Sequence, residues 1–214
     1  RWGVRSQNRA EEAIHSGFFA REISPVTLPD GTVVSTDDGP RAGTVYEKIS
    51  TLNPVFRPNG TVTAGNACPL NDGAAAVVIM SDTKAKALGL TPLARIVATG
   101  VSGLSPEIMG LGPIEAVKNA LGYAKMSVSD IDLFEINEAF AVQVLGSARA
   151  LGIDEDKLNV SGGAIALGHP FGMTGARITA TLLNNLATHD KTFGVETMCV
   201  GGGQGMAMVV ERLS

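Results

Sequence analysis

The spacing of apolar positions changes character twice along this chain, and each change marks a different kind of element. Residues Ser6 to Ser16 are helix formers in a mostly polar pattern that stops at Gly17, which predicts a solvent-facing helix with a glycine just past its end. From Phe18 to about Arg57 the periodicity lapses. That stretch is rich in Pro, Gly, Asp and Thr, and Pro29-Asp30-Gly31-Thr32 predicts a turn between two β-prone pieces, Ile23 to Leu28 and Thr32 to Ser35. It reads as an excursion without a core of its own.

After Thr61 strand-like and helix-like segments alternate, joined by short loops containing Gly or Pro. The pattern predicts a buried strand over Ala75–Met80, a helix over Asp82–Leu88 closed by Gly89, and a strand over Ala94–Val101. Pro113–Ala124 follows as a helix with proline at a tolerated early position. Next come a strand at Ile131–Ile136, a long helix at Glu138–Leu151, a short strand at Lys157–Val160 and a helix at Gly175–Leu186. Thr192–Val200 and Met206–Glu211 close the chain as a hairpin around a glycine-rich turn. Such alternation implies an α/β fold with a mixed sheet covered by helices.

Composition narrows the function classes. With 17 Lys and Arg against 21 Asp and Glu, and no basic run interleaved with aromatics, nucleic acid is not an expected partner. The longest apolar run, Ala74–Met80, is far shorter than the roughly 20 residues of a bilayer span, so a soluble chain without a membrane span is expected. Cys68 and Cys199 are too few for a disulfide framework, which favours a reducing compartment. With three scattered histidines they form no metal-spaced cluster, and no metal is expected. The chain opens at Arg1-Trp2-Gly3 with no initiator Met and no signal-peptide pattern. The Asn59-Gly60-Thr61 and Asn159-Val160-Ser161 sequons read as chance matches.

Three segments place reactive or polar side chains at the ends of predicted strands, where open α/β sheets gather their sites. They are Asn137-Glu138-Ala139-Phe140, the run from Gly162 to Pro170, and Cys199-Val200-Gly201-Gly202-Gly203. His169, between Gly168 and Pro170, is biased toward extended backbone with room for a substrate beside it, and its imidazole could serve as base or oxyanion donor. Cys199 ends an apolar strand and is followed by glycines whose N–H groups can face a site; a small buried hydrophobe is the equally weighted reading. Asn137 could simply cap a helix beginning at Glu138, although a capping Asn can also hold a water. Glycine-rich phosphate cradles are disfavoured, because no GxxxxGK[ST] is present. Cys68 lies in a turn-rich segment that suits a loop or ligand wall as well as a reactive thiol.

Taken together, NEAF at 137–140, GGAIALGHP at 162–170 and CVGGGQG at 199–205 resemble the thiolase family, the acetyl-CoA acetyltransferases and 3-ketoacyl-CoA thiolases. TVTAGNACPLNDGAAA at 61–76 and Met109-Gly110-Leu111-Gly112-Pro113 extend the likeness over essentially the whole chain, which corresponds to the C-terminal half or so of the family's usual length. The resemblance implies a thiolase-like α/β chain, the C-terminal half of a five-layer α/β/α/β/α fold with part of the loop domain. Residues 1–57 would be the C-terminal part of the CoA-binding loop domain and 58–214 the C-terminal half-domain.

The resemblance also implies roles. His169 would activate a nucleophilic cysteine and donate to an oxyanion, Cys199 would move the α-proton of acetyl-CoA, Asn137 would hold a water in the oxyanion hole, and the Gly201 N–H would help form a second one. Phe56, Ala67, Cys68, Met109 and Phe140 would line the CoA and acyl path, with core packing as the plainer reading of each. Where the family often has Ser-Gly this chain has Cys68-Pro69, which puts a hydroxyl contact to CoA in doubt. The family's acyl-accepting cysteine lies in the N-terminal half, so acyl-cysteine catalysis is not expected of these residues alone.

The expected function is thiolase-type acyl transfer: thiolysis of a 3-ketoacyl-CoA, or the reverse Claisen condensation. Acyl-CoA and CoA would be substrates rather than a permanently bound cofactor, and fatty-acid β-oxidation is the expected setting. A homodimer or homotetramer is expected, in the cytoplasm by default with an organellar matrix left open. The alternative is a CoA- or acyl-CoA-binding or dimerisation fragment without turnover, against which the joint presence of His169 and Cys199 speaks. Ketoacyl synthases share the architecture but would pair a cysteine with two histidines, and Asn137 argues against them.

Overall fold

The computed structural model describes residues 1–214. Seven helices are present: α1 (Trp2–His15), α2 (Tyr46–Ile49), α3 (Asp82–Ala87), α4 (Gly112–Ala124), α5 (Ala141–Leu151), α6 (Ala164–Leu167) and α7 (Thr174–Thr188). A two-stranded hairpin, β1 (Val26–Thr27) with β2 (Val33–Val34), lies exposed around the Pro29–Thr32 turn, which Leu28 and Gly31 close with backbone hydrogen bonds. The main sheet contains β3 (Ala94–Gly103), β4 (Leu133–Ile136), β5 (Phe193–Val200) and β6 (Gln204–Arg212) in the order β3-β6-β5-β4. β6 runs antiparallel to both neighbours, while β4 joins β5 in parallel, giving the expected mixed sheet.

Side-chain alternation along the strands gives the sheet two apolar faces, as a sheet covered on both sides requires. On one face Phe134, Ile136, Val195, Ala207 and Val209 pack with Ala116, Val117, Ala120 and Leu121 of α4 and Val144 and Ala148 of α5. On the other, Leu133 and Val210 meet Leu182 and Leu186 of α7. Each fully buried Leu, Ile or Phe contributes roughly 1.5–3 kcal/mol. The molecule is thus a helix–sheet–helix sandwich, and both helical layers end near the turn between β5 and β6. No helix is long and apolar enough to cross a membrane.

Several sequence expectations need correction. Residues 75–80 are not a buried strand: they carry no regular structure, make no backbone hydrogen bonds, and leave Val78 and Ile79 86% and 71% exposed. Apolar β-prone residues become a strand only beside a partner, and no strand of this chain lies alongside. The helix expected to face solvent is α1, and Trp2, Ser6, Gln7, Ala10 and Ala13 on it are buried. Its inner stripe looks polar because Ser6 and Gln7 are buried through hydrogen bonds, to Glu138 and to the Ile165 carbonyl.

The helix expected from Glu138 begins at Ala141 with Phe140 as its N-cap, because residues 137–140 remain extended beside β5 and the 66–68 segment. Lys157–Val160 is a 3-10 turn at Glu155–Lys157 followed by a single bridge between Leu158 and Phe134, too short a pairing to make a strand.

Candidate active site

The extended segment after β4 organises the site. The Asn137 N–H donates to the Thr197 carbonyl, prolonging the β4–β5 ladder by one residue. The Cys68 N–H donates to Ala139 and the Ala141 N–H to Asn66, so residues 66–68 lie antiparallel to 139–141. That pairing brings together Ala67, Cys68 and Phe140, and Phe140 meets Phe56 edge-to-face at 5.9 Å. Four of the five proposed wall residues therefore form one cluster. Phe56 is 69% exposed, so its ring is available to a ligand.

Asn137 is 1% exposed, and neither its amide nitrogen nor its amide oxygen makes a hydrogen bond within the chain. A buried amide in that state is costly unless a water or ligand occupies it. It does not cap α5, which starts four residues later. Sequence reading left both roles open, and the fold removes the plainer one.

Cys199 lies at the end of β5, opposite Gly205 on β6, and is 7% exposed. Burial pushes its thiol above the usual cysteine range. The thiol is therefore protonated at neutral pH and, once ionised, is a strong base. Cys68, half-buried, is raised by the same cause, with Cys199 and Glu138 adding to the effect. Gly201 sits in the exposed turn beyond β5, where a side chain would meet nothing within 4 Å, and its carbonyl accepts from Gln204 Nε2. Met109, half-buried, lies in the Pro106–Leu111 turn, whose neighbours Leu104 and Gly112 press against Gly203 and Gly205. The same turn also reaches α5, where Gly110 lies against Gln143, three residues beyond Phe140.

His169 lines a cleft of about 380 Å3 with Leu70, Asn71, Asp72, Pro170 and Phe171. Its backbone N–H donates to Asn71 Oδ1 at 3.1 Å, and its ring meets Phe171 edge-to-face at 4.9 Å. Nδ1 is 2.6 Å from Thr174 Oγ1, whose own proton goes to the Pro170 carbonyl. The hydroxyl therefore accepts from Nδ1–H, which leaves Nε2 as the lone-pair nitrogen of the neutral ring. Burial, then the charge of Arg177, holds the imidazole below its ordinary range, so it is neutral at physiological pH. Gly168 must be glycine: its φ is +94°, and a Cβ there would strike the Asn71 amide. The first turn of α7, which carries Thr174, contacts β5 where Met198 reaches Gly175, one residue from Cys199.

Glu138 is a residue that sequence reading quoted within a motif but gave no role. It is fully buried and accepts from Trp2 Nε1, Ser6 Oγ, Asn159 Nδ2 and the Ile165 N–H. This carboxylate ties α1 and the 159–165 segment to the end of β4, and so fixes the run that leads to His169. Thr174 and Asn71 were missed as well; the signals were a hydroxyl at a helix start five residues beyond the histidine, and the Asn71-Asp72-Gly73 turn.

The chain matches the family model for the thiolase C-terminal domain over residues 90–212 and that for the thiolase N-terminal domain over residues 1–83. The chain belongs to the thiolase family. It is 52% identical over 214 residues to the acetyl-CoA acetyltransferase of Escherichia coli (strain K12), covering 99% of this chain and 54% of that protein. The 3-ketoacyl-CoA thiolase of Bacillus subtilis (strain 168) is 47% identical, over 98% of this chain and 57% of its own length. The crystal structure of the Bacillus anthracis acetyl-CoA acetyltransferase superposes with a TM-score of 0.96 at 47% identity, covering 99% of this chain and 55% of that one. Human mitochondrial 3-ketoacyl-CoA thiolase in complex with CoA gives 0.92 at 44% identity, covering 99% and 53%. This thiolase chain spans about half the length of the curated relatives that it matches.

Proposed function

We propose that these residues form the acid–base side of a thiolase active site, acting in thiolysis of a 3-ketoacyl-CoA or in the reverse condensation. What supports the reading is that a neutral imidazole, a buried thiol of raised pKa and an unpartnered buried amide sit on segments that meet at one end of the sheet, the Asn137 N–H on the Thr197 carbonyl and Gly175 of α7 on Met198.

In the condensation direction the Cys199 thiolate takes a C2 proton from acetyl-CoA and becomes the thiol. The resulting enolate attacks an acyl group carried as a thioester on a nucleophilic cysteine, which these residues do not include, and that cysteine leaves as thiolate. In thiolysis the Cys199 thiol returns its proton to C2. The α-carbon of a thioester is a weak acid, so developing enolate charge needs preorganised donors; each such contribution is worth about 10²- to 10⁴-fold. His169 Nε2 would take the proton of the nucleophilic thiol, and the Nε2–H so formed, an Asn137-bound water and the Gly201 N–H would supply those donors.

CoA would run past Phe56, Ala67, Cys68 and Phe140, with Met109 bordering the acyl end. Residues 1–57 would then belong with the CoA-binding loop domain and 58–214 with the C-terminal half-domain. A homodimer or homotetramer in the cytoplasm or an organellar matrix, working in fatty-acid β-oxidation, completes the proposal. One rival is a CoA- or acyl-CoA-binding or dimerisation fragment without turnover, which the exposed Phe56 ring against Phe140 would serve equally well.

Deuterium exchange separates the two readings. A polypeptide joining the N-terminal remainder of the E. coli relative to this chain should wash deuterium from D2O into the methyl group of acetyl-CoA and should cleave acetoacetyl-CoA with CoA. Binding of CoA with neither reaction supports the rival.

A further inference from the structure

The face of the sheet that meets α7 holds an acidic pair that the proposed reaction does not use. β4 and β5 run parallel in register, so Glu135 stands directly opposite Glu196, with Cβ atoms roughly 5 Å apart by the spacing of neighbouring strands. Both are enclosed, at 1% and 8% exposure. Alternation shows which way they point. Leu133 packs on Leu182 and Leu186, and a side chain at Gly194 would run into Leu182, so residues of this parity face α7. From α7 comes Arg177, with Nη1 4.0 Å from Glu135 Oε2. Neither Glu135 oxygen, nor Glu196 Oε2, nor any guanidinium nitrogen of Arg177 makes a hydrogen bond.

The charge count is two carboxylates against one guanidinium in a nearly dry space. A buried guanidinium requires an anion, and a second anion beside the first is strongly disfavoured. Burial raises both Glu135 and Glu196 to about 8, with Arg177 acting in the opposite sense. The other charged groups facing this cluster are Glu22, Glu138, Asp37 and His169. Glu22 accepts from Thr181 Oγ1 and Asn184 Nδ2 of α7 and is itself raised by burial. Asp37 is raised by burial and by Asp38. Arg177 is three residues beyond Thr174, hence on the same face of α7 one turn away, and Thr174 holds His169 Nδ1.

We propose that Glu135 and Glu196 hold one proton between them, and that this singly charged pair seats Arg177 one turn from Thr174 as a positioning residue that sets the charge His169 faces. The inference rests on the reading of His169 as the base. Its readout is titration of a ring rather than turnover, so the two can fail separately.

The test follows the His169 ring signals of the isotope-labelled 214-residue chain by NMR across pH, with His15 and His189 as internal controls. Arg177→Met should raise the His169 midpoint by about half a pH unit or more, because the cation opposing the imidazolium is gone. Glu196→Gln preserves the protonated carboxyl's shape and should move it by less than about 0.2 units. The same variants are unfolded in urea. Between pH 5 and 8 the wild-type midpoint should fall, since a carboxyl raised in the folded state favours folding fully below its ordinary value and ceases to do so as pH rises through the folded one. Glu196→Gln should shrink that fall, Glu22 and Asp37 supplying what remains. An unmoved His169 midpoint in folded Arg177→Met, or a Glu196→Gln chain that retains the wild-type fall, overturns the proposal; should Arg177→Met not fold, the Glu196→Gln arm still decides.

Discussion

Glu138 shows how one side chain can hold a site together without touching substrate. Four donors from two separate stretches of chain converge on its carboxylate. Glu138→Ala strands Trp2 Nε1 and the Ile165 N–H, while Asn159 Nδ2 keeps the Ile136 carbonyl and Ser6 Oγ the Gly163 carbonyl, and a buried donor without a partner costs about 1–3 kcal/mol. The expected loss is about 2 kcal/mol or more in urea unfolding; a loss below about 1 kcal/mol contradicts the role. Thr174→Val isolates a second effect. Without the hydroxyl that accepts from Nδ1–H, the His169 ring should lose its preference for the Nδ1–H tautomer, which the 15N shifts of the two ring nitrogens report directly. An unchanged tautomer would show that something else orients the ring.

At this scale the sequence was informative about reactive residues and silent about their partners. His169, Cys199 and Asn137 could be picked out because glycines and a proline flank them or strand ends expose them. Glu138, Thr174 and Arg177 act through contacts between segments distant in the chain, and spacing along a sequence does not encode those.

Elements were legible where periodicity reflects burial inside this chain. The closing hairpin, α4 and α7 follow their apolar spacing to within a few residues, because the sheet that buries them is present. α1 misled for the opposite reason: its inner face uses Ser6 and Gln7, polar residues buried by hydrogen bonding, which a hydropathy pattern scores as solvent-facing. Residues 75–80 misled again, being apolar yet bare. If that segment packs against nothing in this chain, Val78→Lys and Ile79→Lys should change the unfolding free energy by less than about 0.5 kcal/mol while lowering self-association in sedimentation velocity. A loss above about 1 kcal/mol would mean that the segment is packed.

The whole molecule is a sheet clad on both faces whose helical layers and glycine turn meet at one end, and Asn137, Cys199 and Thr174 are carried by the segments that end there. The composition and motif order made that architecture readable; the 3.0 Å ladder extension at Asn137 and the pairing of 66–68 with 139–141 were not, because they depend on extended backbone where helix propensity is adequate. pH should act on this end as well. His169 is lowered in the folded state, so its contribution to stability is present above the ordinary histidine value near 6.5 and is lost as pH falls below it. This opposes the raised carboxyls Glu135 and Glu196, which favour folding at low pH, so His169→Gln should steepen the fall of the urea midpoint between pH 5 and 7, and a profile unchanged by that substitution would mean that the ring is not held neutral.

The most direct test of the central claim is thiolysis of acetoacetyl-CoA by the polypeptide that joins the N-terminal remainder of the E. coli relative to this chain, with Cys199 intact and as Cys199→Ala. The account predicts turnover by the first, a fall of about 10²-fold or more in kcat for the second, and CoA binding by both within a factor of about three. A Cys199→Ala protein that cleaves acetoacetyl-CoA at an undiminished rate would contradict it.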